Sequence, residues 1–185
     1  VDRVVENRDW FICPGFINLH GHVGVDPMVP FVDVPRAGQF APGPEFVSKA
    51  PLQMWPTLSG EEQAASAEFC LVQMVRTGTT TVVDAHGYGA IWWLGNPPTD
   101  EAALAEAVGR VGSRAYLALG FRSARSYQDA HGEARQHWDE EMGVAGLAEG
   151  LRFALAHRDA FGGRVQTMLT PHAVEKFTPD LLRET

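Results

Sequence analysis

The sequence predicts an α/β fold built on a parallel sheet, and three observations carry that expectation. Four strand segments of continuous apolar character alternate with helical segments along the 185 residues. The carboxyl end of each strand is polar, which is where parallel α/β folds place their chemistry. The segment "PGFINLHGH", 14–22, sets two histidines one residue apart at the end of the first strand. A doubly wound sheet and a (β/α)₈ barrel both fit this pattern.

The elements follow in order. The first strand, near 16–22, is the apolar run "FINLH". Successive strand side chains point to opposite faces, so His20 and His22 project together and Gly21 projects away from them. Two imidazoles on one face at that spacing can share one metal ion. A long segment rich in Pro, Gly and isolated aromatics follows, over 23–58, and reads as a lid or binding loop. The first helix opens at Ser59, with Glu62 at capping-box spacing, and stops at Gly78; Ala65, Phe69 and Val72 are expected to form its apolar stripe. It runs into "TTTVVDAHG", a strand near 79–85 that ends in Asp84 and His86.

The alternation then repeats. "TDEAALAEAVGRVG" is a helix opened by Thr99, and the strand "RAYLALG", near 114–120, runs on into Arg122. The polar stretch "FRSARSYQDAHGEARQHWDEE" carries no regular pattern. The helix "VAGLAEGLRFALAHRDAFGG" leads to the strand "RVQTMLTPHA", near 164–170, which ends in His172. A last helix starts with Thr178 as cap and Pro179 at its first position. Four strands in succession therefore deliver ionisable groups to one rim.

Composition narrows the function classes. The chain is 45% hydrophobic and 21% charged, ordinary for a soluble globular protein. A net charge of −8 without any basic run argues against nucleic acid as a partner. No apolar stretch is long enough to span a bilayer, so no membrane role is expected. The two cysteines, Cys13 and Cys70, are too few for a disulfide framework and are expected to be small buried hydrophobes. That usage suits a cytoplasmic setting.

Three segments carry a resemblance to a known family. "CPGFINLHGH" resembles the Pro-Gly-(apolar)-(apolar)-Asn-x-His-x-His signature of the amidohydrolase superfamily. "MWPTLSGEEQAASAEFCLVQMVRTGTTTVVDAHG" is similar to the following segment of its aminohydrolase branch, which includes the S-adenosylhomocysteine, guanine and cytosine deaminases and the triazine hydrolases. "TPHAVEKFTPDLL" resembles that branch's Pro-His-Ala segment after strand four. The match runs in order from about Val4 to Leu182.

The resemblance implies a (β/α)₈ barrel of the metal-dependent hydrolase type, of which this sequence carries the first four β/α units, 16–185. Residues 1–15 would lead into it, as the remnant of a small β-sandwich domain. It implies one divalent metal, zinc with iron as the alternative, ligated by His20 and His22. It also implies hydrolytic deamination of a small nitrogen heterocycle by a metal-activated water. His172 would orient the substrate by donating to a ring nitrogen or carbonyl. His86 would line the pocket, Arg122 would pair with an anionic substrate group in competition with Arg125, and Trp55 would stack on substrate from the lid. Ahead of that role, both arginines read as solvated loop arginines. Asp84 is expected to hold loops together, and His131, His137 and His157 to lie at the surface. The family's other ligands and proton-transfer groups sit on strands five, six and eight, so no catalytic acid or base is assigned to residues 1–185.

Two other readings stand beside this one. Binuclear relatives of the dihydroorotase and hydantoinase type bridge two metals with a modified lysine at the end of strand four; "VQTMLTPHA" holds no lysine, and Lys176 comes after it. A non-catalytic remnant barrel acting as a binding or scaffold subunit is the other. Four parallel strands cannot close a barrel, so strand four is expected to present an open edge. The remaining half is expected from the same polypeptide or another chain, within a homo-oligomer.

Overall fold

The computed structural model describes residues 4, 6, 9–24, 59–84, 101–128, 131, 133–171 and 174–185. The lid segment beyond Gly24, with Trp55, lies outside the described residues, as do His86, His172 and the Thr99 cap.

Along the chain come β1 (Phe16–Gly21), α1 (Gly60–Arg76), β2 (Thr79–Asp84), α2 (Glu101–Val111) and β3 (Arg114–Phe121). They are followed by β4 (Ala124–Gln128), β5 (Ala134–Trp138), α3 (Glu140–His157), α4 (Ala160–Gly163), β6 (Val165–Pro171) and α5 (Pro179–Glu184). β1, β2, β3 and β6 form one sheet in that spatial order, with every neighbouring pair parallel. Because all four run the same way, their carboxyl ends share one rim. β1 and β6 are the outer strands, and neither has a second strand neighbour among the described residues.

The core lies between the sheet and its helices. Val82, Ala115, Leu117, Leu119 and Val165 meet Ala67, Leu71, Leu104 and Val108 in one buried cluster. A second cluster, Phe121, Leu147, Phe177 and Leu181, locks β3, α3 and α5 below the rim. α3 lies close to β3 because its sheet side carries glycine. A Cβ on Gly146 would come within 2.6 Å of the Phe121 Cβ, closer than packed carbons approach.

α1 begins as its sequence implies. The Ser59 hydroxyl accepts the Glu62 N–H at 3.2 Å, and the Glu62 carboxylate accepts the Ser59 N–H at 2.8 Å. The backbone N–H of Ser59, and then its hydroxyl, hold the Glu62 carboxyl below the usual carboxylate range. A depressed pKa makes this contribution present above the unfolded-state value and lost as pH falls through the folded one. Ser59→Ala is expected to destabilise by about 1 kcal/mol. It should also move the Glu62 titration, followed by NMR, part of the way toward its ordinary value, because the hydroxyl's contribution is lost while the backbone N–H stays; an unmoved titration would refute the part of the hydroxyl.

Four expectations need correction. The stripe Ala65, Phe69 and Val72 does not face the core: Phe69 is 59% and Val72 42% exposed, while Ala64, Ala67, Cys70 and Leu71 are buried. α1 has apolar residues on two sides, and packing against α2 and β2 selects the side with small residues, which permits the closer approach. The patternless stretch after Arg122 holds an antiparallel hairpin, β4–β5, with Ala124 opposite Trp138 and Gln128 opposite Ala134. Its strands are polar at nearly every position, so no apolar alternation announces them. α3 starts four residues earlier than Val144, capped by Asp139, whose carboxylate accepts the Met142 N–H at 2.9 Å. It ends at His157, because Asp159 and Phe161 take left-handed φ values of 60° and 54°. Finally, Cys70 is buried as expected but Cys13 is exposed, ahead of β1 beside exposed Phe11 and Ile12.

Candidate metal centre

The rim is assembled from four strand ends. β1 delivers His20 and His22, β2 delivers Asp84, β3 runs into Arg122 and Ser123, and β6 stops at Pro171. Of the residues singled out in the sequence, the structure brings His20 and His22 together. Their Nε2 atoms are 3.0 Å apart, with the rings edge to face at 69° and centroids 4.8 Å apart. The pair tests well against a shared cation. Two ligand nitrogens each about 2.0–2.1 Å from one ion, in tetrahedral geometry, sit only slightly farther apart than this. Imidazole nitrogen is a donor that zinc and iron both accept. Among the described residues no third His, Cys, Asp or Glu converges on the pair.

Strand pairing explains the placement. β1 does not pair evenly with β2: Asn18 is opposite Val82 and Gly21 is opposite Asp84, so Leu19 and His20 share the single β2 position between them. That is a β-bulge, a device that re-aims side chains at the ends of strands. Asn18 Oδ1 accepts the His20 N–H at 3.0 Å across the bulge. Sequence alternation foresaw that the two imidazoles share a face. It missed the bulge, whose signal is the polar Asn18 inside an otherwise apolar strand.

Asp84 is fully buried and in register with Leu117, on the side of the sheet that carries Val82 and the helices. Arg122 is 8% exposed, so the reading of a solvated loop arginine does not hold. Its neighbour Ser123 donates its N–H to the Lys176 carbonyl at 2.9 Å and accepts the Asp139 N–H at 2.7 Å. These bonds tie the ends of β3 and β6 to the start of α3. Lys176, also buried, was not foreseen at this rim. His131 and His137 are exposed, while His157 is half-buried with its ring 4.7 Å from that of Phe153. No helix among the described residues is long and apolar enough to cross a membrane.

Comparison with known proteins gives this fold a family. Residues 11–185 match the model of the Amidohydrolase family. A 5'-deoxyadenosine deaminase of Methanosarcina barkeri is 27% identical over 184 residues, which are 98% of this chain and 35% of that protein. The chain thus spans about a third of the length of the curated relatives it matches. Among solved structures, an amidohydrolase from Brucella melitensis superposes with a TM-score of 0.63 at 20% identity, covering 92% of this chain and 38% of that one. An adenosine deaminase from Xanthomonas campestris with bound zinc gives 0.54 at 17% identity, covering 92% of this chain and 32% of its own. Likeness at these identities carries the fold. The parallel sheet and its helices form part of a (β/α)₈ barrel, as the sequence implied over a doubly wound sheet.

Proposed function

The chain belongs to the amidohydrolase family, and from that premise we propose that it forms the first-ligand part of a mononuclear, metal-dependent aminohydrolase. The reaction is hydrolytic deamination of an amidine-type ring carbon. Water oxygen bonds to that carbon, the exocyclic C–N bond breaks, and ammonia leaves with the protons that the water and ring redistribute. The observation that carries the reading is the Nε2 pair of His20 and His22, 3.0 Å apart at the carboxyl end of β1. A divalent cation supplies, when bound, a water acidified toward neutrality and polarisation of the bond under attack.

The residues of this chain divide the remaining work. His20 and His22 hold the cation, with zinc favoured and iron the alternative for a nitrogen donor set. Arg122, buried at the end of β3, offers a charged donor to a polar or anionic substituent of the substrate. His172 donates to the ring, His86 lines the pocket, and Trp55 stacks from the lid. In this reading the barrel's remaining strands supply the other ligands and the proton-transfer groups, within a cytoplasmic homo-oligomer. The 5'-deoxyadenosine deaminases among the relatives favour a 6-aminopurine nucleoside as the heterocycle.

The test is ammonia release by the full-length, zinc-loaded protein given 5'-deoxyadenosine, with the deaminated purine as co-product. Full metal content with no ammonia from any aminopurine, aminopyrimidine or aminotriazine would overturn the proposal. A variant checks one role: His172→Asn is expected to lower the rate with metal content near normal, because the shorter amide no longer brings its N–H to the ring atom that the imidazole orients. Metal loss in proportion to activity would instead place His172 at the cation.

A further inference from the structure

We infer that Asn18 is a positioning residue for the histidine pair, locking the β1 bulge that aims both rings at one point. This rests on the reading of His20 and His22 as ligands. Strict alternation would put Asn18, His20 and His22 on one face and Gly21 on the other. The structure departs from that. The shift between Asn18 and Gly21 places both of these on the helix side of the sheet. A Cβ built on Gly21 would lie 2.7 Å from Val82 Cγ2, 3.4 Å from Met74 Cε and 3.6 Å from Asn18 Nδ2. So Gly21 and Asn18 occupy one crowded corner against α1 and β2, and the imidazoles on either side of Gly21 turn the opposite way.

A bulge has a cost, because two residues then compete for one ladder position and a backbone donor is displaced from regular pairing. The N–H of His20, a ligand residue itself, lies within the stretch where the register shifts. Asn18 Oδ1 accepts it at 3.0 Å, two residues back along the same strand. The side chain thereby supplies the bond that a regular ladder would have given. Without an acceptor at 18, the favourable rearrangement is a slip toward even pairing, and a one-residue slip sends side chains to the other face. His20 would then leave the point at which its Nε2 lies 3.0 Å from that of His22. Asn18 touches no substrate and acts through His20.

Chelator competition on the full-length protein tests this, with zinc affinity and the visible ligand-field spectrum of the cobalt-substituted form as readouts. Asn18→Ala is expected to weaken zinc binding by about 10–100-fold, the range for loss of an outer-shell partner, and to shift the cobalt bands. Asn18→Asp, which keeps an acceptor oxygen at the same reach, is expected to restore affinity to within a few fold and the parent spectrum. Should the alanine variant not fold, Asn18→Gln serves in its place, since it keeps the amide but moves the acceptor by one methylene; it is expected to lose affinity likewise. Parent-like affinity and spectrum in the alanine or glutamine variant would overturn the inference, as would equal losses in the aspartate and alanine variants. His20→Ala separates the two levels of the argument. If it retains zinc as tightly as the parent, the ligand reading falls; if it loses zinc while Asn18→Ala does not, only the role of Asn18 falls.

Discussion

Replacing His20 with alanine in the full-length protein is expected to abolish metal retention and turnover together. His20 and His22 are the convergent nitrogen donors among the described residues, with Nε2 atoms 3.0 Å apart. A catalytic zinc site uses three protein ligands and keeps one position open, so losing one ligand leaves too few to hold the ion against water. The expected fall in affinity exceeds the roughly 10–100-fold cost of losing an outer-shell partner. Turnover should fall at least as far, because both water activation and bond polarisation depend on the ion. Metal analysis of the purified variant, beside its rate of ammonia release, checks both. Full metal content with full activity would exclude the assignment. His22→Ala should behave in the same way, since among the described residues neither nitrogen has a substitute nearby.

The largest expected stability effect is at Phe121. Its side chain is fully buried and meets the Phe177 ring edge to face, with centroids 5.4 Å apart and planes at 73°. Leu147 and Leu181 complete the cluster, and Gly146 is a glycine so that α3 can reach the Phe121 backbone. Phe121→Ala removes one of the two phenylalanines of a tight buried group. The expected cost is about 3–5 kcal/mol. In the full-length protein it is read as a lowered Tm by calorimetry. Leu155→Ala on the outer side of α3, where the side chain is 80% exposed, should stay within about 0.5 kcal/mol and serves as the control. Because Arg122 and Ser123 follow directly, Phe121→Ala should also loosen the rim. A cost under about 1 kcal/mol would refute the packing account.

Much of the fold was legible because local rules and tertiary packing agree there. The capping box at Ser59 and Glu62, the Thr178–Pro179 start of α5 and the four apolar strands are signals complete within a few residues. Where two local solutions were equivalent, reading failed. α1 offers an apolar side through Phe69 and Val72 and another through Ala67 and Leu71; only the approach of α2 and β2 selects between them. The β4–β5 hairpin is held by main-chain pairing between polar strands, which leaves no hydrophobic trace.

The candidate site divides along the same line. By itself the sequence determined that two imidazoles share a face, since the period of a strand is a property of the backbone and needs no neighbour. It also determined the family, through motifs that keep their order along the chain. Tertiary structure alone decided that Asn18 faces away from the histidines whose placement it supports, and that Arg122 and Lys176 are buried at the rim. The reason is physical. A bulge exists only relative to the partner strand, and burial only relative to whatever packs above, so neither is written in the spacing of residues along one chain.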